Sequence, residues 1–387
     1  MPELSGSSGQ YLSSFSPKDA KFDIHKSLGD QIAYLYALDT SDGVKGFMSG
    51  DRFISFDAYS GRIRVCGNWL KFWKNEEAVR LIDARFCKVP YCPMCQARRS
   101  LKWRAKFLAA LPEISDKYPS HKWIFVTLTV KNCDLADLRS QVQMLGKAFA
   151  RLCKLANYPL EGAIKSLEVT RVWDWYDENG KFLGRHGTTW YYRIKDTDKH
   201  LYTVKPTNEV HPHLHILGLV PASYFTGRGY ITQEQWTKMW KQSLRVDYDP
   251  IVHVQKVKNK KGKSPIENPE DDQSGMMKGI CETLKYTVKE NDLIGKFCED
   301  DDTNSIWIKT LTEQLYRIRR VDYGGVLKEF GKEVEKEMED LIQIEDKDTN
   351  GMENGMEVIA FWNFHLKKYV MKEFSNGSIK ENIEMEV

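Results

Sequence analysis

Residues 211–215 read His-Pro-His-Leu-His and run directly into Ile216-Leu217-Gly218-Leu219-Val220. Read as a β-strand, this segment alternates its side chains between two faces, so His213 and His215 point the same way about 7 Å apart while Leu214 faces the opposite layer. Two imidazoles on one rigid strand make half of a metal site. A surface strand with stray histidines has the same signature, so other segments have to decide between the two.

Two segments bear on that choice. Trp123-Ile124-Phe125-Val126-Thr127-Leu128-Thr129-Val130 is β-branched and aromatic, the composition of a central strand. Cys281-Glu282-Thr283-Leu284-Lys285-Tyr286-Thr287-Val288-Lys289 is patterned as a helix. On it Glu282 and Tyr286 are i,i+4 neighbours and Lys289 follows three residues later, which gathers carboxylate, phenol and ammonium on one face. An ordinary amphipathic helix with Glu and Lys in solvent reads the same way.

The cysteines point to a second metal. Cys87, Cys92 and Cys95 lie within nine residues, and Cys66, followed by Gly67, is the obvious fourth ligand. A long chain whose N-terminus has neither a basic nor an apolar signal region keeps its thiols reduced, so this spacing favours structural zinc (Zn2+) over disulfides, with a reduced core cluster as the alternative. Cys133, Cys153, Cys281 and Cys298 are isolated and read as core residues or bystanders. A basic helix is expected from Arg98 to Leu111, ahead of Pro112. Arg98, Arg99 and Lys102 on it, and Lys258, Lys260 and Lys261 in a cationic loop, are the expected DNA contacts, although any one of them reads equally as a solvated charge.

Charge is unevenly spread. Residues 331–387 hold 7 Lys and no Arg against 14 Asp and Glu, so a net −7 tail follows a body of +10. That division suits a polyanion-binding protein with a separate acidic end. No window of about twenty apolar residues occurs, so a soluble, cytoplasmic protein without a membrane partner is expected. Helices are predicted near Ile24–Asp39, Leu135–Ala156 and Thr232–Leu244. Strands are predicted around Gly61 and Gly67, at Ile164–Trp173 and at Ile251–Val257, with a hairpin within 174–200. The pattern is α+β with a largely antiparallel sheet, divided into an N-terminal segment 1–50, a cysteine subdomain 51–115, a main domain 116–325 and an acidic extension 326–387. Gly262-Lys263-Ser264 lacks the glycine that a phosphate loop needs at position 257, so no ATPase module is expected.

The order of apolar strand with Thr-Leu-Thr, His-hydrophobic-His and tyrosine helix resembles the HUH endonucleases that start rolling-circle replication. Within them it looks most like the plasmid initiators with a single catalytic tyrosine in Glu-x-x-x-Tyr-x-x-Lys, over roughly residues 60–320. The likeness extends to Cys-Pro-x-Cys and the Arg98-Arg99 pair. It implies an HUH-type central antiparallel sheet flanked by helices, with a zinc-stabilised subdomain before it. It also implies a Tyr286 nucleophile and a catalytic Mg2+ or Mn2+ on His213, His215 and a third ligand from an adjacent strand, for which Glu168 is the candidate. His211 ranks behind Glu168 because Pro212 marks a strand start. Glu282 would activate water for a terminating cleavage, Lys289 would assist the phenol or bind the scissile phosphate, and Lys285 would contact the DNA backbone. The implied partners are origin DNA, single-stranded or hairpin at the nick, and the host helicase and DNA polymerase. A transposase or relaxase of the same superfamily, or a zinc-stabilised DNA-binding regulator without nuclease activity, are the alternatives.

Overall fold

The computed structural model describes residues 11–75, 79–187, 202–226, 229–257, 279–280, 283–284, 287–295, 297–331, 341–342 and 355–373. In chain order the strands are β1 Gly46–Ser49, β2 Arg52–Ser55, β3 Trp69–Lys74, β4 Val79–Ala84, β5 Lys122–Thr129, β6 Cys133–Asp134, β7 Gly162–Tyr176, β8 Phe182–Gly187, β9 Thr203–Val220, β10 Val252–Lys256, β11 Val321–Gly325, β12 Met356–Asn363 and β13 Lys368–Glu373. The longer helices are α1 Lys21–Ala37, α2 Phe56–Arg64, α3 Pro93–Lys117, α4 Leu138–Leu152, α5 Gln233–Leu244 and α6 Asp301–Gln314. They fall into two compact units: Met1–Asp39, Lys45–Lys102 and Glu339–Val387 form the first, Thr40–Val44 and Trp103–Met338 the second. The mixed architecture and antiparallel sheets agree with the α+β expectation.

The first unit is built on a four-stranded antiparallel sheet of order β13-β12-β3-β4, together with the β1-β2 hairpin. Helix α1 buries Phe22, Ile32, Leu35 and Tyr36, and Phe22 meets Phe72 of β3 edge-on at 6.4 Å. Where the sequence pattern suggested a strand around Gly61, α2 forms instead. Ser55 caps it by accepting the Ala58 N–H at 3.3 Å, and Phe56, Tyr59, Ser60 and Ile63 recur at helical spacing on its buried side. The unit boundaries also differ from the expected four segments, because residues 356–373 are strands of this sheet rather than part of an appended tail. Their acidic surroundings hide the strand pattern: only Glu357 and Glu373 are acidic within β12 and β13, while Val358, Ala360 and Trp362 turn inward.

The second unit holds a seven-stranded antiparallel sheet of order β10-β5-β9-β7-β11, with β6 paired to β9 and β8 to β7. β9 begins at Thr203, well before the start expected near Pro212. Pro212 falls between the last pair of the β5 ladder, Thr129 with His213, and the first of the β6 ladder, Val210 with Cys133. On that side no neighbouring strand awaits the missing N–H, so the proline does not interrupt β9.

The residues of β9 that follow His213 and His215 on the same face are Leu217 and Leu219. They pack with Ile164 of β7, with Phe107, Leu111 and Ile114 of α3, and with Ile280, Leu284 and Tyr323. Helix α3 therefore continues past its expected end at Pro112 to Lys117. Proline forfeits one hydrogen bond there, but Leu111 and Ile114 on either side are 3% and 2% exposed, and burying such side chains contributes about 1.5–3 kcal/mol each.

Candidate functional site

Strand register brings the candidate metal ligands together. Glu168 of β7 pairs directly with His213 of β9, and Ser166 with His215, so one carboxylate and two imidazoles share one face of adjacent strands. Their ligand atoms lie within 4.8 Å of one another, and all three residues are buried. His215 Nε2 stands 2.7 Å from Glu168 Oε2, His213 Nε2 3.5 Å from the same oxygen, and the two Nε2 atoms are 3.2 Å apart. Neighbouring ligands on an octahedral ion with bonds of about 2.1 Å sit about 3.0 Å apart, so the trio fits a small dication.

The surroundings orient the rings. His213 Nδ1–H donates to the His211 carbonyl at 3.2 Å, which leaves Nε2 facing inward as the lone-pair nitrogen. Thr127, opposite His215 in the β5 register, places Oγ1 3.2 Å from His215 Nδ1, and Phe125 stacks on the His215 ring at 5.4 Å. His211 shares the face without joining the ligand trio; its Nδ1–H donates to Asn132 Oδ1 at 2.9 Å. Burial, with the nearby His213, lowers the His211 pKa to about 4, so this imidazole is neutral at ordinary pH. The chain of contacts continues from Asn132 Nδ2 to Glu209 at 3.2 Å and from Glu209 to Arg185 at 2.5 Å. Sequence reasoning found none of Asn132, Glu209 or Arg185. Glu209 shares parity with the histidines, a weak signal, and nothing marks Asn132.

The segment predicted as a helix over 281–289 is described in part. Glu282, Lys285 and Tyr286 lie outside the described residues, as do Lys258, Lys260, Lys261 and the Trp190–Arg193 part of the expected hairpin. Leu284 N–H donates to Ile280 O at 2.8 Å, a helical bond, and Ile280 and Leu284 lie against Leu217 on the histidine face. The helix does not reach Lys289, whose backbone is extended (φ −67°, ψ 145°). Instead, Val169 N–H donates to Thr287 O at 2.7 Å, on the edge of β7 where Leu167 N–H bonds Arg320 just before β11. Lys289 Nζ then stands 3.4 Å from Glu168 Oε1, so the lysine joins the site from an extended stretch rather than from a helix face.

A second cluster lies in the first unit. Cys66, Cys87, Cys92 and Cys95 present four sulfurs within 4.8 Å of one another, with Sγ separations of 3.6 Å for 66–95, 3.7 Å for 87–95 and 3.5 Å for 66–92. Tetrahedral zinc with bonds of about 2.3 Å spaces its sulfurs by about 3.8 Å, so the set fits a closed site. Main-chain N–H groups of Lys88 and Cys87 point at Cys95 and Cys66 sulfurs at 3.2 and 3.3 Å, as they do around thiolates. Hydrogen bonds from Cys66, Cys87 and Cys92 hold the Cys95 thiol far below its ordinary range, while burial drives Cys92 up. Gly67, at φ +65°, makes the turn after Cys66, and a Cβ there would come within 2.6 Å of Met94.

The cations after the cluster are placed unequally. Arg98 is buried and spends its guanidinium on the carbonyls of Leu341 and Ile342 at 2.8 and 2.7 Å; Lys102 is also buried. Arg99 is half-buried and donates to Lys88 O at 2.9 Å. The helix face expected to meet phosphate is therefore largely turned inward.

Comparison with known proteins places the chain. Residues 78–370 match the family described as Replication protein. A "Protein rep" of Streptococcus pneumoniae serotype 2 is 33% identical over 319 residues, covering 80% of this chain and 83% of that protein. A "Protein rep" of Bacillus amyloliquefaciens is 32% identical, covering 80% and 84%, and a "Replication protein" of Staphylococcus aureus is 32% identical, covering 67% and 95%. No solved structure matches.

Proposed function

The chain belongs to the Replication protein family, and from that premise we propose that it is an HUH-type initiator of plasmid rolling-circle replication, nicking one DNA strand at the origin with Tyr286. The observation that carries this reading is the meeting of Glu168, His213 and His215 on paired strands, with the chain just after Tyr286 tied to the strand that bears Glu168 through Val169 and Thr287.

Residues with separate tasks make up the mechanism. Tyr286 supplies the nucleophilic oxygen, which forms a 5′-phosphotyrosine bond as the 3′-oxygen of the broken phosphodiester leaves. Glu168, His213 and His215 would hold Mg2+ or Mn2+, which would supply Lewis-acid polarisation of the phosphate. His211 and Thr127 fix the two imidazoles so that their Nε2 atoms converge without rearrangement. Lys289, beside Glu168, offers a cation to the scissile phosphate or to the phenol as it loses its proton. Glu282, four residues before Tyr286, activates water for the second cleavage that ends replication. The four cysteines hold Zn2+ as a structural ion. Host helicase and DNA polymerase unwind and copy the template.

A supercoiled plasmid carrying the parent origin tests this. Wild-type protein with Mn2+ is expected to convert it to the open circle with protein attached to the new 5′ end. Tyr286→Phe is expected to leave DNA binding intact and give no adduct, whereas Glu282→Gln still nicks but accumulates strands longer than one unit in a replication assay. Adduct formation by Tyr286→Phe would place the nucleophile elsewhere.

A further inference from the structure

The segment that carries the cysteine cluster is rich in cations that the cleavage chemistry does not use. Residues 61–102 carry ten Lys and Arg against three Asp and Glu, in a chain whose totals are 57 and 54. Several of the ten converge on the turns that the cysteines fix. Arg62 donates to the Cys87 carbonyl and Arg99 to the Lys88 carbonyl, so two guanidiniums from α2 and α3 reach the same loop. Gly67 N–H donates to Arg85 O at 2.7 Å, joining the strand end at Arg85 to the turn after Cys66. Arg64 closes α2 two residues before Cys66, and its carbonyl is held by the buried Lys26 ammonium at 2.8 Å.

The side chains of Arg62, Arg64, Arg85 and Lys88 are exposed, and Arg64, Arg85 and Lys88 make no ion pair among the described residues. The described acids nearest in sequence are Asp57, at the far end of α2, and Asp83 on β4. Lys88 is held at φ 60°, a left-handed conformation costly for lysine, which fixes where its side chain leaves the loop. Unneutralised cations on a rigid turn suit an evenly charged polyanion better than a folded protein surface, whose charges alternate.

We infer that this cysteine-braced knuckle, with Arg62, Arg64, Arg85, Lys88 and Arg99, is a binding surface for the phosphate backbone of duplex DNA, separate in task from the cleavage residues. It rests on the replication reading for its biological setting. Such contacts position a protein on the duplex and carry a characteristic salt dependence, since each neutralised phosphate adds about 0.9 to the slope of log K against log salt.

The test is fluorescence anisotropy of a labelled origin duplex across about 50–200 mM salt, with the triple variant Arg64→Gln/Arg85→Gln/Lys88→Gln. Its slope is expected to fall by about 2–3, and its affinity at the upper end of that range by at least tenfold. Its thermal midpoint and its nicking of a single-stranded oligonucleotide should stay unchanged. A control triple of exposed lysines in the second unit, Lys154→Gln/Lys181→Gln/Lys238→Gln, is expected to leave the slope alone. An unchanged slope in the first triple, or an equal loss in the control, overturns the proposal. If the first triple is unstable, Arg85→Gln alone is read for a loss of about 0.9. Failure of wild-type protein to nick would count against the replication reading while leaving this binding comparison intact.

Discussion

At the scale of single residues, the candidate site divides into the three proposed ligands and the groups that aim them. Substitution should separate the two by degree. His215→Ala removes a ligand atom, so Mn2+ affinity measured by titration calorimetry is expected to fall by at least about a hundredfold, with nicking falling alongside. Asn132→Ala only frees the His211 ring, which is not among the three, so a loss below about tenfold is expected, the low end for groups bonded directly to a ligand. Equal affinity in wild type and His215→Ala would remove the histidines from the metal site. The grouping of His213, His215 and Glu168 was legible in sequence because a two-residue period and an adjacent strand suffice to align them. The Asn132–Glu209–Arg185 chain was not, because it depends on how the two-residue β6 registers on β9, which no local pattern encodes.

At the scale of elements, the stretch after Tyr286 is docked by β7 through both main chain and charge. Arg171, fully buried, donates its main-chain N–H to Asp292 Oδ2 at 3.3 Å and its Nη1–H to Asn304 at 2.9 Å, with its guanidinium between the rings of Trp173 and Trp307 at 4.4 and 4.8 Å. Burial lowers its pKa only to about 10, so it remains a cation at neutral pH and neighbours the buried Asp292 as a counter-charge. Arg171→Met keeps the main-chain bond to Asp292 but leaves the buried Asn304 oxygen without its donor, and is expected to cost about 1–3 kcal/mol in urea unfolding. An unchanged unfolding midpoint would show that the guanidinium contributes nothing to this packing. Sequence pattern located β5, β7, α1 and α5 well, because β5 alternates, β7 is buried almost throughout, and α1 and α5 carry buried positions at helical spacing. It failed where one residue had two readings: Pro112 as a stop, Pro212 as a start, and Gly61 as part of a strand rather than of α2.

At the scale of the whole molecule, net charge concealed a strand pair. Acidic residues flanking 356–373 made an appendage of what is the middle of a sheet, with β12 hydrogen-bonded to β3 on one side and β13 on the other. The same strands brace the cysteine turn: the Tyr369 hydroxyl donates to the Gly67 carbonyl, and Trp362 N–H to Asn68 O at 2.8 Å. Tyr369→Phe leaves a buried carbonyl without its donor, so a loss of about 1–3 kcal/mol is expected, with faster zinc release to a chelator. Unaltered release kinetics would uncouple the strands from the cysteines. Because β12 separates β3 from β13, the first unit is assembled from both halves of the gene product, while the second is made from one nearly continuous stretch between them. During synthesis on the ribosome, the seven-stranded sheet has all its described strands as soon as Gly325 has emerged, but β3, already paired with β4, waits for β12 until some thirty residues later. Chains cut between Gly325 and Met356 by a premature stop or a protease would keep every described strand of the seven-stranded sheet and leave β3 of the cysteine unit without β12.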